Sequence, residues 1–192
     1  MNAPRIVAIA DAGDAAGSAG AQLAFDLGRF ARACNNAGVP WALWLRTHGW
    51  TAERWRGAVR PLSWLAGLGG ALGVSAPVDG PEGWHNSALG QWAARVHVPA
   101  ATRSNWSGGD GGAPRWVACH GLAEVGAALA AGAERAVLSP IWPTASKPDA
   151  KDLGVELLRA ACDSHPGRVV ALGGIDATTA AQALGAGAAA VA

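Results

Sequence analysis

The chain has 192 residues, long enough for one domain spanning 1–192 to bury a core without disulfide or metal staples. Half the residues are apolar and 15% charged, which excludes a disordered chain; a net charge of +1 with scattered Lys and Arg excludes the electrostatics of a nucleic-acid or acidic-membrane binder. No segment approaches the ~20 uncharged apolar residues of a membrane span and no basic-plus-apolar leader opens the chain. Three cysteines, Cys34, Cys119 and Cys162, lack C-x-x-C spacing, so reduced thiols in a cytoplasm are expected.

Arg5-Ile6-Val7-Ala8-Ile9-Ala10 reads as a buried strand running into Asp11 and a glycine loop. Over Ala21–Asn35 apolar residues recur at helical spacing (Leu23, Phe25, Leu27, Phe30, Ala31, Cys34), with Gly38 placed to end the helix. Trp41–Leu45 is a second strand, followed by Arg46-Thr47-His48-Gly49. A helix opens near Thr51 and is interrupted or ended by Pro61. Gly70–Ser75 is a third strand, leading to Ala76-Pro77-Val78-Asp79-Gly80. A short helix over Ser87–Ala94 and a small strand Arg95–Val98 come next.

Thr102–Pro114 carries four glycines and no helical pattern, so the fourth crossover is expected to be shortened. Trp116–His120 is strand five and Leu122–Ala131 a helix with Glu124 in its first turn, favourable to the helix dipole. Ala136-Val137-Leu138 is strand six, Val155–Ser164 a helix, Val169-Val170 strand seven, Ala177–Leu184 a helix and Gly187–Ala192 the start of strand eight. Strands alternating with helices imply a parallel sheet. Eight of them favour an irregular α/β barrel, a (β/α)8 TIM barrel with the eighth helix missing, over its competitor, an open doubly wound sheet. With 10 Trp, 2 Phe and no Tyr, tryptophan must supply nearly all the aromatic bulk.

In such a barrel the working groups follow the C-terminal ends of the strands. That rule selects Asp11, Arg46, His48, Asp79, His97, His120, Thr144, Ser146, Lys147, Gly173 and Gly174. Gly173-Gly174 exposes amide donors near a helix start with Asp176 as N-cap, and otherwise makes a tight turn. Thr144-Ala145-Ser146-Lys147 offers two hydroxyls and a cation that suit a phosphate. Cys119 and His120 alternate across a strand, so Cys119 reads as core and no Cys–His couple forms. Asp79 is a weak metal candidate, because hard cations need two or more oxygen ligands and no second carboxylate stands near it.

Ser139-Pro140-Ile141-Trp142-Pro143-Thr144-Ala145-Ser146-Lys147, followed by Gly154, Gly173-Gly174-Ile175 and Gly185-Ala186-Gly187 and preceded by His120 with Glu124, resembles the thiamine phosphate synthase and thiazole tautomerase family. Ala8-Ile9-Ala10-Asp11, Leu45-Arg46 and Val96-His97 keep step more loosely. The resemblance implies a barrel, usually a homodimer, that joins a hydroxymethylpyrimidine diphosphate to a thiazole phosphate and releases pyrophosphate with the help of Mg2+. It implies that Arg46 and Lys147 face the diphosphate and that Thr144, Ser146, Gly173 and Gly174 meet phosphate oxygens; His120 joins Arg46 and Lys147 as a catalytic candidate, and His48 joins the phosphate-binding candidates on its place after strand two. The pattern also differs from the family's. Ser75-Ala76-Pro77 and Pro99-Ala100-Ala101-Thr102 stand where the family carries its metal carboxylates, Trp44-Leu45-Arg46-Thr47-His48 lacks a glutamine and a lysine, and a further serine would follow strand eight past Ala192. A tautomerase histidine after strand six is Pro140 here. The alternatives that the resemblance leaves are a catalytically silent barrel that binds a phosphorylated heterocycle, and a tautomerase-like enzyme.

Overall fold

A computed structural model describes residues 4–11, 18–46, 63–75, 93–98 and 115–192. The chain forms two compact units, Met1–His97 and Val98–Ala192. Among the described residues strands and helices alternate, the strands pair in parallel and they follow sequence order, as the α/β reading requires.

In the first unit β1 (Ile6–Asp11) pairs with β2 (Trp41–Arg46), β2 with β3 (Ala71–Ser75), and β3 with β4 (Ala93–Val98). Five successive residues of β2, Trp41 to Leu45, are buried, the continuous burial of a parallel strand covered on both faces. Helix α1 (Ser18–Asn36) buries Ala24, Leu27, Ala31 and Cys34, one stripe at helical spacing. Phe25 was expected in that stripe but is 54% exposed; it lies two residues from Leu27, about 200° round the helix, so the two cannot share a face. The helix ends where Gly38 takes φ +64°: Val39 N donates to Cys34 O and Gly38 N to Asn35 O, which satisfies the last carbonyls.

Tryptophan fills this core as the composition demands. Trp41 is buried, meets Phe30 edge-on at 6.0 Å and donates from Nε1 to Asn35 Oδ1 at 2.8 Å. Two departures concern local structure. Ser63–Leu68 is a 3-10 helix that the sequence pattern did not show. Ala93 and Ala94, expected at the end of a helix, begin β4 instead, because the ladder to β3 pairs Leu72 with Ala93. The expected helices near Thr51 and Ser87, and the shortened crossover over Thr102–Pro114, lie outside the described residues.

In the second unit β5 (Arg115–Cys119), β6 (Arg135–Leu138), β7 (Val169–Ala171) and β8 (Ala190–Val191) pair in order. Helices α2 (Leu122–Ala130), α3 (Gly154–Ser164) and α4 (Ala177–Gly185) connect them and bury Val125, Ala128, Leu158, Ala161, Cys162 and Ala183. Strand β8 is shorter than expected because Gly187, at φ +96°, is still closing α4: its N–H donates to Leu184 O, and Ala188 N to Ala183 O.

The N-terminal edge of this sheet is tied by polar groups. Trp116 Nε1 donates to Glu134 Oε2 at 2.8 Å, the Arg135 guanidinium lies 5.2 Å over the Trp116 ring, and Arg168 donates to the Ala133 and Glu134 carbonyls. Among the described residues no helix is long and apolar enough to cross a membrane.

Candidate active site

Register sets the frame. Cys119, Leu138, Ala171 and Val191 are partners across β5, β6, β7 and β8, so the residues after them leave the sheet at one C-terminal edge. His120, Ser139 and Leu172-Gly173-Gly174 follow that line. Cys119 is fully buried and His120 exposed, the alternation that strand geometry dictates. Burial, then the neighbouring Asp163 carboxylate, pushes the Cys162 thiol up to about 11, and burial also raises Cys34, so neither behaves as a nucleophile.

The loop after β6 and the turn after β7 are joined by main-chain bonds. Leu172 N donates to Leu138 O, Ile141 N to Leu172 O and Trp142 N to Gly173 O. Ile141 is fully buried under this seam. Leu153 N to Pro140 O and Gly154 N to Ile141 O bring the chain back to the start of α3. Between these anchors, Thr144 Oγ1 lies 3.1 Å from Ser146 Oγ, and Lys147 N donates to Thr144 O at 3.2 Å. Ser146 and Lys147 are exposed and Thr144 half-buried, so two hydroxyls and an ammonium face outward within one short turn.

Gly173 and Gly174 have φ of +96° and +65°, a region that costs any L side chain roughly 1–2 kcal/mol. A Cβ at Gly173 would come within 2.8 Å of Pro140 Cβ, and one at Gly174 within 2.6 Å of Pro143 O and Trp142 Cβ. The glycines therefore do what the sequence reading did not foresee: they let the β7 turn lie directly against the β6 loop. Their carbonyls are occupied, Gly173 O by Trp142 N and Gly174 O by the Thr179 hydroxyl at 2.9 Å. The amides of Gly173, Gly174 and Ile175 donate to no protein group among the described residues.

Asp176 caps α4, as expected. Its carboxylate accepts from Thr178 N and Thr179 N at 2.8 Å, while Thr179 Oγ1 accepts from Asp176 N at 2.7 Å. Those bonds, the Thr179 backbone and hydroxyl donors first, hold the Asp176 carboxyl below its ordinary range. They also consume donors at the helix start. In α4 the Thr178, Thr179 and Ala180 amides are thus taken, while the Gly173, Gly174 and Ile175 amides of the turn are not. Thr179 is a supporting residue that the sequence reading passed over; the Asp-x-x-Thr spacing of a capping box was its signal.

His120 is held twice. Its Nδ1 lies 2.6 Å from Ser139 O and its backbone N donates to Glu124 Oε2 at 2.8 Å. Arg46, half-buried, ends β2 in the first unit, in register with Asp11 at the end of β1. His97 is in β4 as expected. His48 and Asp79 lie outside the described residues. Among those described, no three His, Cys, Asp or Glu side chains come together as a metal site. The second unit therefore brings His120, Thr144, Ser146, Lys147, Gly173 and Gly174 to one sheet edge.

The family described as thiamine monophosphate synthase matches residues 117–192. The thiamine-phosphate synthase of Mycolicibacterium paratuberculosis (strain ATCC BAA-968 / K-10) is 40% identical over 70 residues, 36% of this chain and 31% of that protein, so the match spans about a third of the relative's length. Among solved structures, the thiamine phosphate pyrophosphorylase from Pyrococcus furiosus is similar with a TM-score of 0.67 and 20% identity over 97% of this chain and 83% of that one. A structure titled native KDPGal follows at 0.60 and 17%, covering 100% and 82%. An N-acetylmannosamine-6-phosphate 2-epimerase from Clostridium perfringens gives 0.54 and 13%, covering 97% and 83%. At these identities the structural likenesses show the fold, the irregular α/β barrel class that the strand count favoured.

Proposed function

We propose that the chain couples a hydroxymethylpyrimidine diphosphate to a thiazole phosphate, giving thiamine phosphate and pyrophosphate, a reading supported by the match of residues 117–192 to the family described as thiamine monophosphate synthase. The observation that carries this reading is the pairing of two features on one seam. The unclaimed amides of Gly173 and Gly174 sit in the turn after β7, and Thr144, Ser146 and Lys147 project from the loop after β6, which the Trp142–Gly173 bond joins to that turn. Amides and hydroxyls donate to phosphate oxygens, and the Lys147 ammonium adds charge to those bonds.

In the coupling, the bond from the pyrimidine methylene carbon to the diphosphate oxygen breaks and leaves a carbocation. The thiazole ring nitrogen then donates its electron pair to that carbon, and pyrophosphate carries away the electrons of the broken bond. Held donors aimed at the growing charge stabilise this step without reorganising. In the reading proposed here Lys147 neutralises charge on the phosphate groups, and the turn amides fix their position. Arg46 is assigned to the diphosphate on the resemblance, and His48 to phosphate binding on its place in the sequence after β2. Mg2+ would supply Lewis-acid stabilisation of the leaving group, but the described residues contain no carboxylate cluster that fits it. The contacts proposed here are accordingly those of amides, hydroxyls and Lys147.

The test is a coupled assay with both substrates and Mg2+, reading thiamine phosphate. Product above background that falls at least tenfold in Lys147→Ala supports the assignment. Product formation unchanged in that variant would remove Lys147 from the site.

One observation favours a second reading, a barrel that binds a phosphorylated heterocycle without turnover: the family match begins only at residue 117 and leaves out both segments where the resemblance expects metal carboxylates. That reading predicts thermal stabilisation by thiazole phosphate with no product.

A further inference from the structure

His120 is exposed, yet two bonds fix it. A backbone carbonyl can only accept, so the 2.6 Å contact from His120 Nδ1 to Ser139 O requires the proton to be on Nδ1. In the neutral ring Nε2 then carries a lone pair and no hydrogen. Among the described residues Nε2 has no protein partner; the only bonds of His120 are those to Ser139 O and, through its backbone N, to Glu124 Oε2. Ser139 is buried and follows β6 directly, so its carbonyl is a fixed acceptor. Glu124 sits in the first turn of α2 and pins the His120 main chain from the other side. The ring therefore has its backbone and one nitrogen anchored, with the second nitrogen left without a protein partner among the described residues.

We propose that Ser139 O and Glu124 hold His120 as the Nδ1–H tautomer, with Glu124 as a positioning residue, so that Nε2 accepts a hydrogen bond from an N–H or O–H group of the ligand. The inference rests on the reading of this sheet edge as a ligand site and deepens it. It divides the site by chemistry. The turn amides, the hydroxyls and Lys147 all offer hydrogens or positive charge, which suit phosphate oxygens. Neutral His120 offers only a lone pair, which repels a phosphate oxygen and selects a donor, such as an amino or hydroxyl group on the non-phosphate part of the ligand.

The tautomer can be read directly by two-bond nitrogen–proton correlation on the full chain labelled with 15N-histidine, at about pH 8.5, above the range in which a free imidazole titrates. Of the 5 histidines, His120 is assigned by the resonances lost in His120→Gln. The expected result is a protonated-type Nδ1 and an unprotonated-type Nε2. A protonated Nε2, or the averaged pattern of free histidine, would overturn the proposal.

Glu124→Asp keeps the charge at the helix start but shortens the reach by one methylene, and Glu124→Gln keeps an oxygen within reach of His120 N. The aspartate variant should drift toward the averaged pattern and the glutamine variant should retain the wild-type one. A tautomer unchanged in Glu124→Asp would reduce Glu124 to a helix-start residue and end its positioning role.

Inorganic phosphate is the final probe. It should move the Gly173, Gly174 and Lys147 amide resonances and leave His120 Nε2 unprotonated. If phosphate protonates Nε2, the division of the site is wrong. If it moves no amide while the tautomer stands, it is the phosphate reading of the turn that fails.

Discussion

At the residue scale, the site and the turns around it depend on side chains and amides whose place is set by a few atoms. A Cβ at Gly174 would meet backbone and Cβ atoms at 2.6 Å in a left-handed conformation, so Gly174→Ala is expected to cost about 2–4 kcal/mol of stability, read by urea denaturation. Asp176 makes a pH prediction. Its folded-state pKa is lowered by the Thr179 and Thr178 bonds, so its contribution is fully present above the unfolded carboxylate value of ~3.9 and is lost as pH falls through the lower folded value. Asp176→Ala should therefore lower Tm at neutral pH, and the difference from wild type should shrink on acidification through that window. A difference independent of pH would mean that the cap is not held by the carboxylate. Cys162 makes a third: with its thiol pushed up to about 11 and its side chain buried, a thiol reagent at pH 7 should label it only on unfolding.

At the element scale, three helices end alike. Gly38, Gly132 and Gly187 each take a positive φ and close paired main-chain bonds to the preceding helix. They differ in what surrounds them. A Cβ at Gly132 meets nothing within 4 Å, while one at Gly187 meets Cys162 Cβ at 3.0 Å. Gly132→Ala should thus cost about 1–2 kcal/mol, the conformational term alone, and Gly187→Ala distinctly more, in the same denaturation assay. Equal losses would mean that Cys162 gives way freely. The contrast also shows what was legible in the chain. Gly38 could be placed as a helix terminator from spacing, and so could the capping role of Asp176, because local backbone chemistry decides both. The inward face of α1 could not be read fully, since Phe25 and Leu27 are equally apolar and only the position of the sheet shows which one turns in. Nor could the 3-10 turn at Ser63–Leu68, where Trp64 lies against Gly28 and beneath Arg32, a tertiary contact with no sequence period.

At the scale of the molecule, alternation of apolar runs and helical segments was enough to give parallel strands in sequence order, because strands buried along their length, such as Trp41–Leu45 of β2 and Val169–Ala171 of β7, read as continuous apolar runs. The candidate residues of the second unit were legible because they follow strand ends. Their mutual arrangement was not: it depends on the bonds from Ile141 and Trp142 to the β7 turn, and on the histidine contact to Ser139 O, which join residues 19 to 31 positions apart. The glycine pair illustrates the difference. Sequence suggested room for a ligand, whereas the structure gives it two tasks, close packing against Pro140, Trp142 and Pro143, and a turn whose amides remain unclaimed. Both depend on the same conformation, so a substitution that damages the seam also removes the proposed phosphate seat.

The central claim is that this seat serves the coupling itself. A single-turnover experiment tests it most directly: purified chain in excess over hydroxymethylpyrimidine diphosphate, with thiazole phosphate and Mg2+, quenched over time. The account predicts thiamine phosphate and pyrophosphate appearing together in equal amounts, at a rate lowered by Lys147→Ala. Thiazole phosphate bound at equilibrium with neither product formed would contradict it.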